Sequence, residues 1–338
     1  MKPTTFALRI LLSALICCMV FASQAQTCKD TPVRIGIAWV PNTKAYDRVV
    51  RSIEAAGGEA VILPQMRAAA LDYDSTRLLP RYVDENGVLL QQYADMVKID
   101  TYAGTGADTL MKDIDAVVFL GGGDISPTLF AKPQPWHGIE EDNNCNAERD
   151  ISEYLTMSYC LDHNIPLLGL CRGMQMLAVV SGAPLIQDLG QYFAAQGKEY
   201  QYLHRMQRDE NGERHYTPHD VAVIDTASIL YSIAATDIIR KVPSWHHQAC
   251  GDVAGTPLKV TGITLTDGIP VIEAIERTDK PFALGVQFHP EEAVRMNLDG
   301  EAAASFMPLD EGLAYFRALI SQARKNNDSK KGNNTIIP

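Results

Sequence analysis

What this chain does without narrows what it can be. No C-x-x-C pair occurs among its cysteines, so zinc has no support. No basic run stands out before the extreme C-terminus, and the net charge is −11. Nucleic acid and anionic membrane surfaces are therefore poor partners. The longest apolar run, Ile10 to Ala22, is too short for a comfortable membrane span. The glycine triplet at 121–123 is not followed by Lys-Ser/Thr, which argues against a nucleotide-phosphate loop. No internal repeat is visible. The remainder is ordinary for a soluble globular chain, 46% hydrophobic and 21% charged with a mean hydropathy of −0.09. At 338 residues it suits one large α/β domain with insertions, or two domains.

The first 25 residues read as a signal peptide. Lys2 and Arg9 precede the apolar run, and Ser23-Gln24-Ala25 offers small residues where a signal peptidase needs them. Cleavage after Ala25 would deliver the protein to the periplasm or outside the cell, with no stable membrane insertion; a retained anchor is the alternative. Neither Cys17 nor Cys28 has the small residue usual before a lipidated cysteine. Cys28, Cys145, Cys160, Cys171 and Cys250 would remain, an odd number that leaves at least one thiol unpaired within the chain. Up to two bridges fit an exported chain; four unpaired buried cysteines fit as well.

Apolar runs and helical stripes alternate from Val33 to Arg324. Val33–Val40, Glu59–Leu63 and Asp115–Leu120 read as strands, with a helix from Tyr46 to Ala56 between the first two. A β-α-β start argues for a parallel sheet. The fold class expected is α/β: a doubly wound, mostly parallel, flavodoxin-like sheet with helices on both faces and a smaller antiparallel part after Val221. Residues 66–112 have no clean period and form an insertion with some helix of its own. Either its tip lies over the site or it is a solvated excursion. Residues 190–219, rich in tyrosine and histidine, look like a loop region bordering the site. Leu309–Arg324 closes the fold as an amphipathic helix, and residues 326–338 read as a disordered tail.

One stretch stands out, Pro166-Leu-Leu-Gly-Leu-Cys171-Arg-Gly-Met-Gln175. A buried strand that feeds directly into a helix places its turn residue at the carboxyl edge of the sheet. The unpaired amides and dipole of the helix start would favour a thiolate there. A buried apolar cysteine is the plain alternative. Two further strands end in reactive groups: Gly121-Gly122-Gly123, which would form an oxyanion hole or a flexible turn, and His289 after Pro281–Phe288. In a doubly wound sheet all carboxyl ends lie on one edge, so the three can converge. In an extended chain residues i and i+2 point the same way, so Glu291 can hold the imidazole of His289. Glu292 would be a solvated neighbour, although spacing alone leaves it open as the partner. His246-His247-Gln248 gathers polar groups in one place, but a metal there lacks a third ligand at a telling spacing.

Gly-Leu-Cys171-Arg-Gly-Met-Gln175, Gly-Gly-Gly-Asp-Ile-Ser-Pro, Ser-Trp-His-His-Gln-Ala and Gly-Val-Gln-Phe-His-Pro-Glu291 occur in the order found in the family they resemble. The chain is similar to the class I glutamine amidotransferase-like superfamily. Within it the chain resembles the peptidase C26 group of the γ-glutamyl-γ-aminobutyrate hydrolase type. The resemblance implies a nucleophile at Cys171, a general base at His289 and an orienting carboxylate at Glu291. It further implies an oxyanion hole from the Arg172 N–H with the Gly122 and Gly123 amides, and substrate contacts at Gln175, His246, His247 and Gln248. The implied reaction is hydrolysis of a γ-glutamyl amide through a thioester, with water as the second substrate and no metal or organic cofactor. A homodimer stays open. Rival readings are a folate-polyglutamate type of hydrolase, a catalytically silent binding protein, and a glutaminase subunit serving a synthase, which export disfavours.

Overall fold

Short runs of β-branched and leucine residues do become strands, and they become one sheet. The computed structural model describes residues 32–138, 144–301 and 305–333, with side chains through 327. The expected signal peptide and Cys28 lie outside the described residues. The elements are β1 (Arg34–Ile37), α1 (Tyr46–Ala55), β2 (Glu59–Ile62), a small hairpin of β3 (Tyr73–Asp74) and β4 (Arg77–Leu78), α2 (Gln91–Asp100), α3 (Ala107–Leu110) and β5 (Ala116–Phe119). Next come α4 (Ala147–Asp162), β6 (Leu167–Leu170), α5 (Arg172–Val180), β7 (Leu185–Ile186), α6 (Leu189–Ala194), β8 (Thr217–Val223), α7 (Ile229–Ala234) and β9 (Ile238–Ser244). β10 (Ala249–Cys250), β11 (Leu258–Thr266), β12 (Ile269–Arg277), β13 (Ala283–Val286), α8 (Pro290–Leu298) and α9 (Leu309–Asn333) complete the chain. No helix among the described residues is long and apolar enough to cross a membrane.

The main sheet runs β2-β1-β5-β6-β13-β12-β11-β8-β9. Its first five strands are parallel and the rest antiparallel. Of the parallel strands, β5, β6 and β13 are buried on both faces, which is why they read as unbroken apolar runs. Along β5, Val117 and Phe119 face one core while Ala116 and Val118 face the other. α4 and α5 cover the first face; α1 and α9 cover the second. The apolar stripe of α9, Leu313, Phe316, Leu319 and Ile320, is fully buried, each side chain contributing about 1.5–3 kcal/mol. α4 starts where Asn146 accepts a hydrogen bond from the Arg149 N–H at 2.8 Å, an N-cap that satisfies one orphan donor.

Two expectations need correction. The final helix does not stop at Arg324 but continues to Asn333; just past Arg324, Asn326 donates to the Asn164 carbonyl at 3.2 Å and Asn327 to Asp115 at 2.7 Å. Residues 66–112 are no solvated excursion. Met66, Leu71, Leu78, Tyr82, Leu89, Ala94 and Val97 join the core that α4 covers. None of the described residues lining the cavities at Cys171 comes from 66–112.

α5 lies against the sheet with almost nothing between. A Cβ on Gly169 of β6 would sit 2.5 Å from the Gly173 carbonyl carbon. One on Gly173 would sit 2.5 Å from the Phe119 carbonyl oxygen. One on Gly285 of β13 would meet the Met174 side chain at 2.8 Å and its Cα at 3.0 Å. Gly169→Ala therefore has only backbone to push against, and overpacking of this kind costs about 1–3 kcal/mol. Urea unfolding is expected to show Gly169→Ala losing more stability than Gly285→Ala, whose obstacle is partly a flexible methionine. Equal losses would contradict the backbone contact as the cause.

Candidate active site

The turn from β6 into α5 consists of one residue. Cys171 follows Leu170 and immediately precedes the first helical residue, with φ +50° and ψ −103°. A non-glycine residue at such a backbone angle stores about 1–3 kcal/mol of strain and persists only where its surroundings fix it. Here they do. The Cys171 N–H donates to the Val286 carbonyl of β13 at 2.8 Å, and the Cys171 carbonyl accepts from the Gln175 N–H at 3.1 Å. The side chain is 3% exposed. Its sulfur accepts from the Gln287 amide at 3.4 Å. Gln287 is oriented in turn by Gln175, which donates to it and to the Gln248 carbonyl, both at 3.2 Å. Gln175 thus reaches the sulfur through a second glutamine.

His289 comes three residues after β13, the strand hydrogen-bonded beside β6. Its ring and the Cys171 side chain both crowd Gly121, where a Cβ would be 2.6 Å from His289 Cε1 and 3.5 Å from Cys171 Cβ. The Nδ1 of His289 is 2.6 Å from Glu291 Oε1. The pair meets, but not through an extended chain. His289 is the N-cap of α8, Pro290 opens the helix, and Glu291 points back from the first turn. Glu292 is not solvated either. It is buried because Arg48 and Arg295 both bond it, at 3.1 and 2.7 Å. Burial works against a charged His289. Tyr216, whose ring centre lies 5.2 Å from that of the imidazole, Glu291 and Cys171 outweigh it, so the imidazole pKa lies well above 6.5.

The glycine loop after β5 is held from below. Arg149 donates to the Leu120 and Gly121 carbonyls at 3.0 and 2.8 Å, and a Cβ on Gly122 would fall on its guanidinium. Asp150 accepts from the Ser126 N–H at 3.0 Å and hydroxyl at 2.6 Å. The Arg172 side chain turns down into the same network, bonding Asp150 and Glu153, while Glu153 also holds Arg149 at 2.8 Å. The Arg172 N–H, first of α5, has no carbonyl four residues behind it within the helix.

Two cavities of about 520 and 440 Å³ meet at Cys171, Gly122, Gly123 and Trp245. The larger is lined by Asp124, Gln175, His246, His247, Gln248 and the arginines 205, 208 and 214. The smaller is lined by Val40, Arg48, Tyr216, His289 and Glu291. His247 is clamped between Asp124 at 3.0 Å and Asp188 at 3.3 Å. Burial opposes its charge, yet these two carboxylates raise its pKa to about 9. His246 touches the cavity but aims its ring inward, Nδ1 toward the Gln248 carbonyl at 2.8 Å. Sequence reading missed Tyr216, Gln287, Asp188 and Glu153. Only Gln287 had a signal, its place in the strand leading to His289.

A profile of the peptidase C26 family matches residues 94–291. Protein NtpR of Enterococcus hirae is 35% identical over 186 residues, covering 55% of this chain and 70% of its own. A gamma-glutamyl-gamma-aminobutyrate hydrolase of Escherichia coli O157:H7 is 27% identical over 185 residues, 54% of this chain and 66% of its own. The crystal structure of a candidate GMP synthase component from Thermoplasma acidophilum superposes with a TM-score of 0.50 and 15% identity, covering 89% of this chain and 98% of that one. At that identity it shows the fold, which is class I glutamine amidotransferase-like.

The strain at position 171 gives an expectation for stability. Cys171→Gly should unfold at a denaturant midpoint at or above that of Cys171→Ala, since glycine is unstrained at positive φ and the difference can reach about 1 kcal/mol. A clearly less stable glycine variant would mean the backbone there is relaxed.

Proposed function

The chain belongs to the peptidase C26 family, and on that premise we propose that it is an exported thiol hydrolase of γ-glutamyl amides. The observation that carries this reading is the convergence of Cys171, His289 and Glu291 at the junction of two cavities. Cys171 Sγ attacks the amide carbonyl while His289 holds the proton. The C–N bond breaks, the amine leaves with that proton, and a glutamyl thioester remains. Water then attacks the thioester, His289 takes its proton, and glutamate and the thiol are released. The Gly122, Gly123 and Arg172 amides bind the developing oxyanion; losing one such donor costs about 10²–10³ in rate. Gln287 donates to the sulfur, and Gln175 positions Gln287.

The two cavities suit the two sides of the scissile bond. The larger, with its arginines, His247 and Gln248, fits the charged glutamyl head group. The smaller accepts the leaving amine, and Trp245 stands between them, 37% exposed. Four motifs and a relative whose name states γ-glutamyl-γ-aminobutyrate hydrolysis support the substrate class. The leader at 1–25 supports export, which N-terminal sequencing of the fractionated protein checks: a chain starting at Gln26 is expected.

Purified protein should release glutamate from γ-glutamyl amides, and Cys171→Ala should abolish this with an unchanged circular dichroism spectrum; unchanged turnover would refute the assignment. Glu291→Gln is expected to lower kcat by about 10⁴-fold, the scale known for losing a histidine's orienting carboxylate. It should also move the alkaline limb of the pH profile downward, because Glu291 is one of the groups that keep His289 protonated above neutrality. An alkaline limb that stays in place would assign it to another group.

A further inference from the structure

Behind the wall of the larger cavity, His204, His219, His246 and Glu273 form a buried cluster that the proposed chemistry does not use. One potential ligand atom from each lies within 4.8 Å of all the others. They come from separate places: the loop before β8, β8 itself, the segment just after β9, and β12. Glu273 Oε1 is 3.0 Å from His204 Nδ1, 3.7 Å from His246 Nε2 and 3.8 Å from His219 Nε2. None of these four atoms has a hydrogen-bond partner. Even the 3.0 Å approach lacks the alignment of a hydrogen bond.

The protons can be placed. His246 Nδ1 faces the Gln248 carbonyl at 2.8 Å, and a carbonyl only accepts. Nδ1 therefore carries the hydrogen and Nε2 presents a lone pair. Thr264 donates its hydroxyl hydrogen to the Asp220 carbonyl at 2.9 Å, so toward His219 Nδ1, 3.2 Å away, it accepts. His219 Nε2 is then bare as well. Two imidazole lone pairs and a carboxylate oxygen converge on one dry spot, which is costly without a positive charge between them. A buried water offers two hydrogens, fewer than the acceptors present.

We propose that His204, His219, His246 and Glu273 bind one divalent first-row transition ion, with zinc the best match. Bonds of about 2.0–2.1 Å set tetrahedral ligands about 3.3–3.4 Å apart, and the three separations at Glu273 Oε1 bracket that value. Three imidazoles and a carboxylate suit zinc's taste in donors. The Gln248 carbonyl and Thr264 act as the outer partners that fix ring orientation at such sites. His246 also lines the larger cavity, which gives the ion a way in. The ion ties the loop carrying His204 to β8, β12 and the segment that presents His247 and Gln248, so its role is to hold the cavity wall.

The test needs no assay of hydrolysis. Untagged full-length protein is stripped with a chelator, dialysed, and titrated with Zn²⁺ and separately with Co²⁺. About one ion per chain is expected, with visible Co²⁺ bands of a four-coordinate site and a higher unfolding temperature on loading. Glu273→Gln and His219→Gln should lose the bands, and Thr264→Val should weaken affinity about 10–100-fold. His215→Ala, in the exposed Asp209–Glu213–His215 group, should change nothing. No stoichiometric binding by the intact protein overturns the proposal. So does binding that survives Glu273→Gln and His219→Gln but disappears in His215→Ala.

Discussion

The architecture of the site depends on how closely α5 is seated on the sheet. Gly169, Gly173 and Gly285 strip away the side chains that would hold helix and strands apart. A helix that close leaves no room for a loop between β6 and α5, so the chain must turn within Cys171. The positive φ at that residue is the cost of this turn, and the packed helix keeps it from relaxing. A reactive side chain at the tip of a strained, fully packed turn has very little freedom to wander.

The second reactive group is set by the sheet itself. β6 and β13 are parallel neighbours, with Leu170 opposite Val286 and the Cys171 N–H bonded to the Val286 carbonyl. The residue after Val286, Gln287, therefore lies beside Cys171 and bonds its sulfur, and His289 follows two residues on at the start of α8. Beneath the adjoining glycine loop, Arg149, Arg172, Asp150 and Glu153 neutralise one another out of water. Such a network contributes little net stability, but removing one member leaves a buried charge uncompensated. What it supplies is placement of the loop relative to the thiol.

Much of this was legible in the residues, and the reason is physical. β5, β6 and β13 are buried on both faces, so they appear as apolar runs, and whatever follows such a run sits on one sheet edge. That logic reaches Cys171, Gly121–Gly123 and His289. It reaches Glu291 by a mistaken route, because Pro290 starts a helix rather than an extended segment. Tyr216 was invisible, one of several tyrosines in a polar stretch without period. Asp150, Glu153 and Arg172 are spaced so that only a helix docked on the elbow could join them. The histidine cluster was out of reach for a different reason. β8 and β12 are separated by β11 in the sheet, and no spacing along the chain reports that register.

The placement of sulfur and ring just beyond the ends of adjoining strands has a bearing on how this scaffold diversifies. Their placement follows from the sheet edge, whereas the wall of the larger cavity comes largely from residues 205–214 and 245–248. Lineages can therefore rewrite that wall, and laboratories can graft a foreign one, without retuning the reactive pair. Selectivity and chemistry are inherited as separate traits.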